Sequence, residues 1–189
     1  MSPEEVSRMV SLYGNEVYRF ARKLFAGASE ADDLYQQTFL NLLEHSYVLD
    51  AKKNPRAFLF SIAYHLYKSQ VRRQARRFSI APQVSYEAAE AVLEDPGESL
   101  EEQAIKGEEA DQIRQAVKGL PDKYRIPVLL FYAFDLSLEE ISRIEKIPKG
   151  TVKSRLHKAR ELLRKELERY GQKARSGPKN QAGADLPGT

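Results

Sequence analysis

Four times in this chain a serine stands three residues ahead of an acid at the head of an apolar run: Ser2 with Glu5, Ser29 with Asp32, Ser99 with Glu102 and Ser137 with Glu140. In such a pair the serine hydroxyl accepts from a free N–H of the first helical turn, and the acid accepts from the serine's own N–H. A chain that starts helices this often is expected to be all-α. Behind Ser2, with Pro3 at the first helical position, Met9, Tyr13, Val17, Phe20 and Leu24 recur at spacings of three and four, which makes one buried face. Gly27 stops that helix. The second carries Leu34, Thr38 and Leu42 beside Tyr35, Phe39 and Leu43, and Asn54-Pro55 opens a third with Phe58, Leu59, Ile62, Ala63 and Leu66 turned inward. Three amphipathic helices of this length can close a small core.

From residue 78 to residue 98 the periodicity is lost, and Pro82, Pro96 and Gly97 punctuate an acidic stretch. The expected organisation is a first domain over residues 1–77, a flexible acidic linker over 78–107 and a second domain over 108–170. In the second domain Ile113, Val117 and Leu120 mark a buried side. The tail, residues 171–189, has four Gly and two Pro with almost no apolar content and is expected to be disordered.

Charge is unevenly distributed, although 30 basic and 27 acidic residues leave only +3 overall. Residues 30–50 hold five acids and no Lys or Arg; residues 68–77 carry +5; residues 87–111 carry −9; residues 149–165 carry +6. Two basic blocks about an acidic one suit two polyanion-facing surfaces, although solvated helix faces would look the same. Without Cys, a disulfide framework, a thiolate zinc site and a Cys nucleophile are excluded. No apolar run approaches bilayer length, and the start, MSPEEVSR, lacks the basic and apolar stretches of a secretory signal. A cytoplasmic protein is expected.

The sharpest local pattern lies between Leu120 and Glu166. A helix from Leu120-Pro121 contains Pro127, whose missing N–H predicts a mild kink. Ser137 then caps a short helix burying Leu138, Ile141 and Ile144. After a break at residues 146–148, Gly150-Thr151-Val152 opens a longer helix with Val152, Leu156, Ala159 and Leu163 inside. Short helix, tight turn and longer basic helix form a helix-turn-helix, whose second helix enters a major groove about 12 Å wide. The outward face offers Lys149, Lys153, Ser154, His157, Lys158 and Arg160 to base edges, while Arg155 and Arg164 are placed for the phosphate backbone.

The stretch LSLEEISRIEKIPKGTVKSRLHKARELLRKEL resembles the promoter-reading domain 4 of extracytoplasmic-function (ECF, group IV) bacterial sigma factors, of the sigma-70 family. EADDLYQQTFLNLLEH and NPRAFLFSIAYHLYKSQVRRQARR resemble two segments of that family's domain 2. The resemblance covers roughly residues 5–77 and 108–168, in the family's order. It implies two helical domains, the C-terminal one a helix-turn-helix. It also implies that an acidic helix docks on the clamp helices of the largest subunit of RNA polymerase core, with Asp32, Asp33, Gln36, Gln37, Phe39 and Leu40 as the contact set. A −5 segment suits a basic helical partner, and Phe39 is the expected apolar anchor.

By the same resemblance the third helix recognises and melts the −10 promoter element through Tyr64, His65, Tyr67, Lys68, Arg72 and Arg73. A strand-opening surface needs such a cationic track with aromatic groups to hold an extruded base. The −35 element falls to Lys149, Thr151, Lys153, Ser154, Arg155, His157, Lys158 and Arg160. The chain departs from the family pattern at Gln37 (usually Glu), Ser61 (often Arg), His65 (often Asn) and Glu145-Lys146 (usually Leu-Gly). A non-Gly residue in a left-handed turn at that last position would cost on the order of 1 kcal/mol. Further partners implied are promoter DNA, the polymerase flap and an inhibitory anti-sigma factor.

Catalysis is not expected. His45, His65 and His157 lie far apart with no metal-ligand spacing, no Gly-rich phosphate loop is present, and Asp32 and Asp33 diverge by about 100° on a helix. No cofactor and no metal are expected. The leading reading is an alternative sigma factor that directs promoter-specific initiation. The alternatives are a helix-turn-helix regulator that binds duplex DNA without polymerase, and a helical adaptor that never touches DNA.

Overall fold

The computed structural model describes residues 2–44, 54–80 and 108–175, and among these the regular structure is entirely helical. The first half contains α1 (Pro3–Leu24), α2 (Ala28–Glu44) and α3 (Pro55–Ile80). The second contains α4 (Glu108–Lys118), α5 (Asp122–Val128), a π-helical turn (Leu129–Ala133), α6 (Leu138–Glu145) and α7 (Lys149–Arg175). The acidic segment over residues 81–107, with its Ser99 cap, and the tail beyond residue 175 lie outside the described residues.

Local side-chain chemistry sets the starts of three helices, α1, α3 and α6. Ser2 and Ser137 both close reciprocal capping boxes, with the acid's backbone N–H 3.2 Å from the serine hydroxyl and the serine N–H 2.7 Å from the acid's carboxylate. Asn54 caps α3 through its side-chain oxygen, 3.2 Å from the Ala57 N–H. α2 differs from expectation: it begins at Ala28, so Ser29 is already inside the helix, and the Ala31 N–H reaches the Gly27 carbonyl at 3.4 Å. Two helices also outrun their expected ends, α3 continuing through residues 78–80 and α7 through residues 171–175.

α1 buries Val6, Val17, Phe20 and Leu24 against α2 and α3, as their spacing requires. Gly14 lets α2 come close, since a Cβ there would sit 3.0 Å from the Tyr35 hydroxyl. Thr38 is fully buried and satisfies its hydroxyl on the Leu34 carbonyl at 2.7 Å. In the second half Pro127 is followed by a change of ladder. Its missing donor leaves the helix to resume with wider bonds, and the Phe134 N–H reaches the Leu129 carbonyl at 3.2 Å. The expected kink is therefore a π-helical turn. Ile113, expected inside, is half exposed, and Ala116 takes the buried position on α4.

α3 packs against both halves of the chain. Leu59 and Ile62 pack into a small core with Val6, Val17, Phe39 and Leu42. Phe60, Ala63, Tyr64 and Tyr67 pack on another side, into a core shared with Leu120, Ile126, Phe134, Leu136, Ile141 and Ile144 of the second half. A helix apolar on more than one face must be covered on more than one face. Phe134 occupies the junction, its ring 5.5 Å from Phe20 and 4.9 Å from Phe60, centroid to centroid.

Polar groups complete this junction. Arg125 donates from α5 to the Lys23 and Leu24 carbonyls at the C-terminus of α1, each at 3.2 Å, where a cation complements the helix end. The same guanidinium bonds Asp122 at 2.7 Å and the Tyr67 hydroxyl at 3.1 Å, and that hydroxyl donates to Asp122 at 2.6 Å. Arg56 bridges Glu16 at 2.6 Å and the Phe134 carbonyl at 2.5 Å, and Asn54 bonds Glu140.

Candidate nucleic-acid interface

The helix-turn-helix is built around Lys146. This residue has φ 54° and ψ 46°, the left-handed conformation expected of the turn, and its N–H caps α6 on the Ser142 and Arg143 carbonyls. The Ser142 hydroxyl donates to the Ile147 carbonyl at 2.6 Å and so locks the turn. Ile141, Ile144, Val152, Leu156 and Ala159 are buried and hold α6 against α7. With that face committed, Lys149, Lys153, Ser154, His157, Lys158 and Arg160 are left exposed and Thr151 half-buried.

Neighbouring acids qualify three cations of the expected −35 set, Lys149 among them, which pairs with Glu139 at 3.6 Å. Lys158 pairs with Glu161 at 2.8 Å, one turn along the exposed face. Arg155 is turned inward and pairs at 2.7 Å with Glu145, whose side chain is 2% exposed. Burial pushes the Glu145 carboxyl up to about 7, against the opposing pull of Arg155 and Lys68, and its second oxygen has no hydrogen-bond partner. Arg155, expected on the phosphate backbone, is thus engaged inside the fold.

The third-helix set divides in two. Arg72 and Arg73 are exposed, whereas Tyr64 and Tyr67 are 8% and 4% exposed, and His65 and Lys68 are half-buried. Burial raises both tyrosine hydroxyls to about 12; Tyr67 is raised further by its bond to Asp122, and Tyr64 by the charge of Glu145. Burial, with Lys146 and Arg72 nearby, lowers His65 and favours its neutral form. Arg76 and Arg77 extend the exposed basic end of α3 by a further turn. Both lie in the +5 block of residues 68–77.

On α2, Asp33, Gln36, Gln37 and Leu40 are exposed and Asp32 is half-buried. Asp32 and Gln36 border a shallow groove of about 430 Å³ with Gly14, Asn15, Tyr18 and Tyr35. Phe39, the expected anchor, points into the core at 7% exposure, with its ring 5.2 Å from Tyr35. The apolar groups that α2 presents outward are Leu40 and Leu43, at 47% and 42% exposure. The period alone does not say which apolar positions at the edge of a stripe are covered.

Among the described residues no group of three or more His, Asp or Glu could hold a metal ion, and no helix is long and apolar enough to cross a membrane.

The family described as Sigma-70 region 2 matches residues 9–77, and the family described as Sigma-70, region 4 matches residues 110–163. The ECF RNA polymerase sigma factor SigW of Bacillus subtilis is 30% identical over 162 residues, covering 84% of this chain and 87% of SigW. The chain belongs to the ECF RNA polymerase sigma factors. The ECF sigma factor EcfG of Rhodopseudomonas palustris is 32% identical to this sigma factor over 144 residues, 76% of one chain and 75% of the other. In overall fold this sigma factor is similar to RpoE of Bartonella quintana, seen in co-crystals with the anti-sigma factor NepR. The TM-score is 0.72 at 24% identity, over 87% of this chain and 98% of that one. Matches over both halves, in order, favour a sigma factor over a polymerase-independent helix-turn-helix regulator in which the first half would serve as a dimerisation or sensor module.

Proposed function

We propose that this ECF sigma factor binds RNA polymerase core in the cytoplasm and directs promoter-specific initiation, and that an anti-sigma factor holds it inactive. The outward face of α2 (Asp32, Asp33, Gln36, Gln37, Leu40 and Leu43) docks on the clamp helices of the largest subunit. The Lys149–Arg160 face of α7 reads the −35 element, and α3, through Tyr64, His65, Tyr67, Lys68, Arg72 and Arg73, takes the −10 element. The protein contributes binding energy alone, and the polymerase performs the chemistry. Because each half reads its element modestly, polymerase raises the effective concentration of one relative to the other.

The observation that carries this reading is the exposed cationic stripe on α7, set at a helix-turn-helix in a chain whose other half matches sigma region 2. The test is run-off transcription with purified core polymerase on a genomic promoter library. Discrete promoter-specific transcripts are expected; competent core enzyme that yields none with this chain refutes the proposal. Charge reversal at Lys153 and Lys158 with transcription intact would instead favour an adaptor that never touches DNA.

A further inference from the structure

Ser154, His157 and Glu161 follow one another at spacings of three and four, so they form a single row along α7. The buried positions Val152, Leu156 and Ala159 hold the other side of the helix, and the His157 side chain is 68% exposed. Two contacts in this row decide which hydrogens are left for a ligand. The Ser154 hydroxyl donates to the Thr151 carbonyl at 3.0 Å. Its one hydrogen is thereby engaged inside the helix, which leaves the oxygen to act as an acceptor. The His157 ring turns Nδ1 toward the Glu161 carboxylate at 3.6 Å. The bond and charge of Lys158, with smaller pulls from His157 and Lys165, hold that carboxyl below its ordinary value, so it is ionised and only accepts. A carboxylate on that side favours the tautomer with hydrogen on Nδ1, and the neutral ring then has a bare acceptor at Nε2.

The flanking cations have the opposite character. Lys153 and Arg160 are exposed and carry donors only. Such a group pairs with O6 and N7 of guanine, both of them acceptors, where a bare acceptor finds nothing to bond. The acceptor bonds instead the amino hydrogens on N6 of adenine or N4 of cytosine, and guanine or thymine in that place sets lone pair against lone pair. Three residues advance about 4.5 Å along a helix, a little over the step of about 3.4 Å between base pairs, so Ser154 and His157 address adjacent pairs.

We propose that this row makes α7 a reader of amino-bearing bases. Ser154 and His157 select adenine or cytosine at two adjacent −35 positions, flanked by guanine opposite Lys153 or Arg160, and Glu161 is the positioning residue that fixes the His157 tautomer. The inference rests on the −35 reading of α7 and adds the chemical class of the bases read. Glu161 acts through the imidazole four residues before it and bonds no base itself.

The test is run-off transcription with purified core polymerase on a promoter library randomised over the −35 element, at pH 8, where an ordinary imidazole is neutral. Initiating sequences are counted for the wild-type chain, Ser154→Ala, His157→Ala and Glu161→Gln, three substitutions outside the buried core. The wild-type chain is expected to favour adenine or cytosine over guanine or thymine at least fivefold at two adjacent positions of one strand. Ser154→Ala should flatten one of these preferences to less than twofold, and His157→Ala the other. Glu161→Gln should reduce the His157 preference at least threefold and leave the Ser154 preference in place. Guanine or thymine preferred at the positions these variants flatten, or variants that flatten none, overturns the base assignment while the transcripts leave the sigma reading standing. Wild-type preferences in Glu161→Gln, or loss at a third position, overturn its positioning role. A wild-type chain that yields no transcript with competent core removes the sigma reading and this inference with it. Nitrogen-15 spectra of the imidazoles in the full chain, assigned with His157→Ala, give an independent measurement. Hydrogen should sit mainly on Nδ1 of His157 in the wild type and move toward Nε2 in Glu161→Gln; a wild-type ring with hydrogen mainly on Nε2 refutes the inference.

Discussion

Replacing Glu145 by Gln tests the electrostatics at the centre of the helix-turn-helix. The carboxyl is lifted from 4.5 to about 7, chiefly because burial penalises its charged form more than Arg155 and Lys68 favour it. Below pH 4.5 it is neutral in both folded and unfolded chains, and the folded state keeps its full advantage. Between 4.5 and about 7 the unfolded chain releases a proton that the folded chain retains, so stability falls as pH rises. Above pH 7 both are ionised and the advantage is gone. A lift of this size, already net of the attraction to Arg155, corresponds to roughly 3 kcal/mol, so about 1–3 kcal/mol is the range to look for. Gln is neutral throughout and accepts the same hydrogen bond from Arg155. The stability difference, variant minus wild type, is expected to grow by about 1–3 kcal/mol in favour of Gln from pH 4.5 to pH 8. Urea denaturation followed by far-ultraviolet circular dichroism at several pH values measures it; subtraction cancels His65 and the other groups that Glu145 does not influence, and Tyr64, which Glu145 does influence, is raised to about 12 and does not titrate in this range. A difference that stays flat, or that turns against Gln at high pH, would show that the attraction of Arg155 outweighs the burial cost and would refute the argument.

Three further outcomes follow from particular residues. Lys146→Gly relieves a left-handed backbone that a Cβ disfavours, and is expected to stabilise by about 1 kcal/mol in equilibrium denaturation. Lys153→Glu puts an acid into the middle of the exposed α7 face and should cut promoter-specific run-off transcription at least tenfold, with core binding unchanged in a pull-down. Leu40→Asp places a charge on the outward face of α2, and should weaken core binding about tenfold in a titration while leaving helicity and melting temperature intact, because Leu40 contributes little to the core.

The helices were legible because their signals are local. The capping boxes at Ser2 and Ser137 and the cap at Asn54 involve residues three apart, so the atoms that decide them are neighbours in any helical start. The strained turn at Lys146 was legible for the same reason, as a non-Gly residue where the resembling family has Gly. Lys149, Lys153, His157, Lys158 and Arg160 of α7 lie on the surface as expected, since the buried positions Val152, Leu156 and Ala159 leave them no other side. The partner of Arg155 was not legible. Glu145 lies ten residues away across the turn, and only the packing of α6 on α7 brings the two charges to 2.7 Å. Phe39 and Leu40 show the same limit: adjacent apolar residues on one helix, of which the packing of α1 and α3 covered one and left the other exposed.

Sequence alone therefore determined the helical composition, the order of the two halves, the helix-turn-helix and the family resemblance, because each rests on spacings of a few residues or on a recognisable run of them. Tertiary structure decided that residues of both halves share one core, that Phe134 packs on the Phe20–Phe60 ring pair, and that Tyr64 and Tyr67 are buried in that shared core. The bonds of Arg125 show why: they join residues 58 to 102 positions apart. No local pattern encodes which of two apolar faces will meet across that distance. That choice is made only when burying one particular pair of surfaces removes more apolar area from water than any alternative.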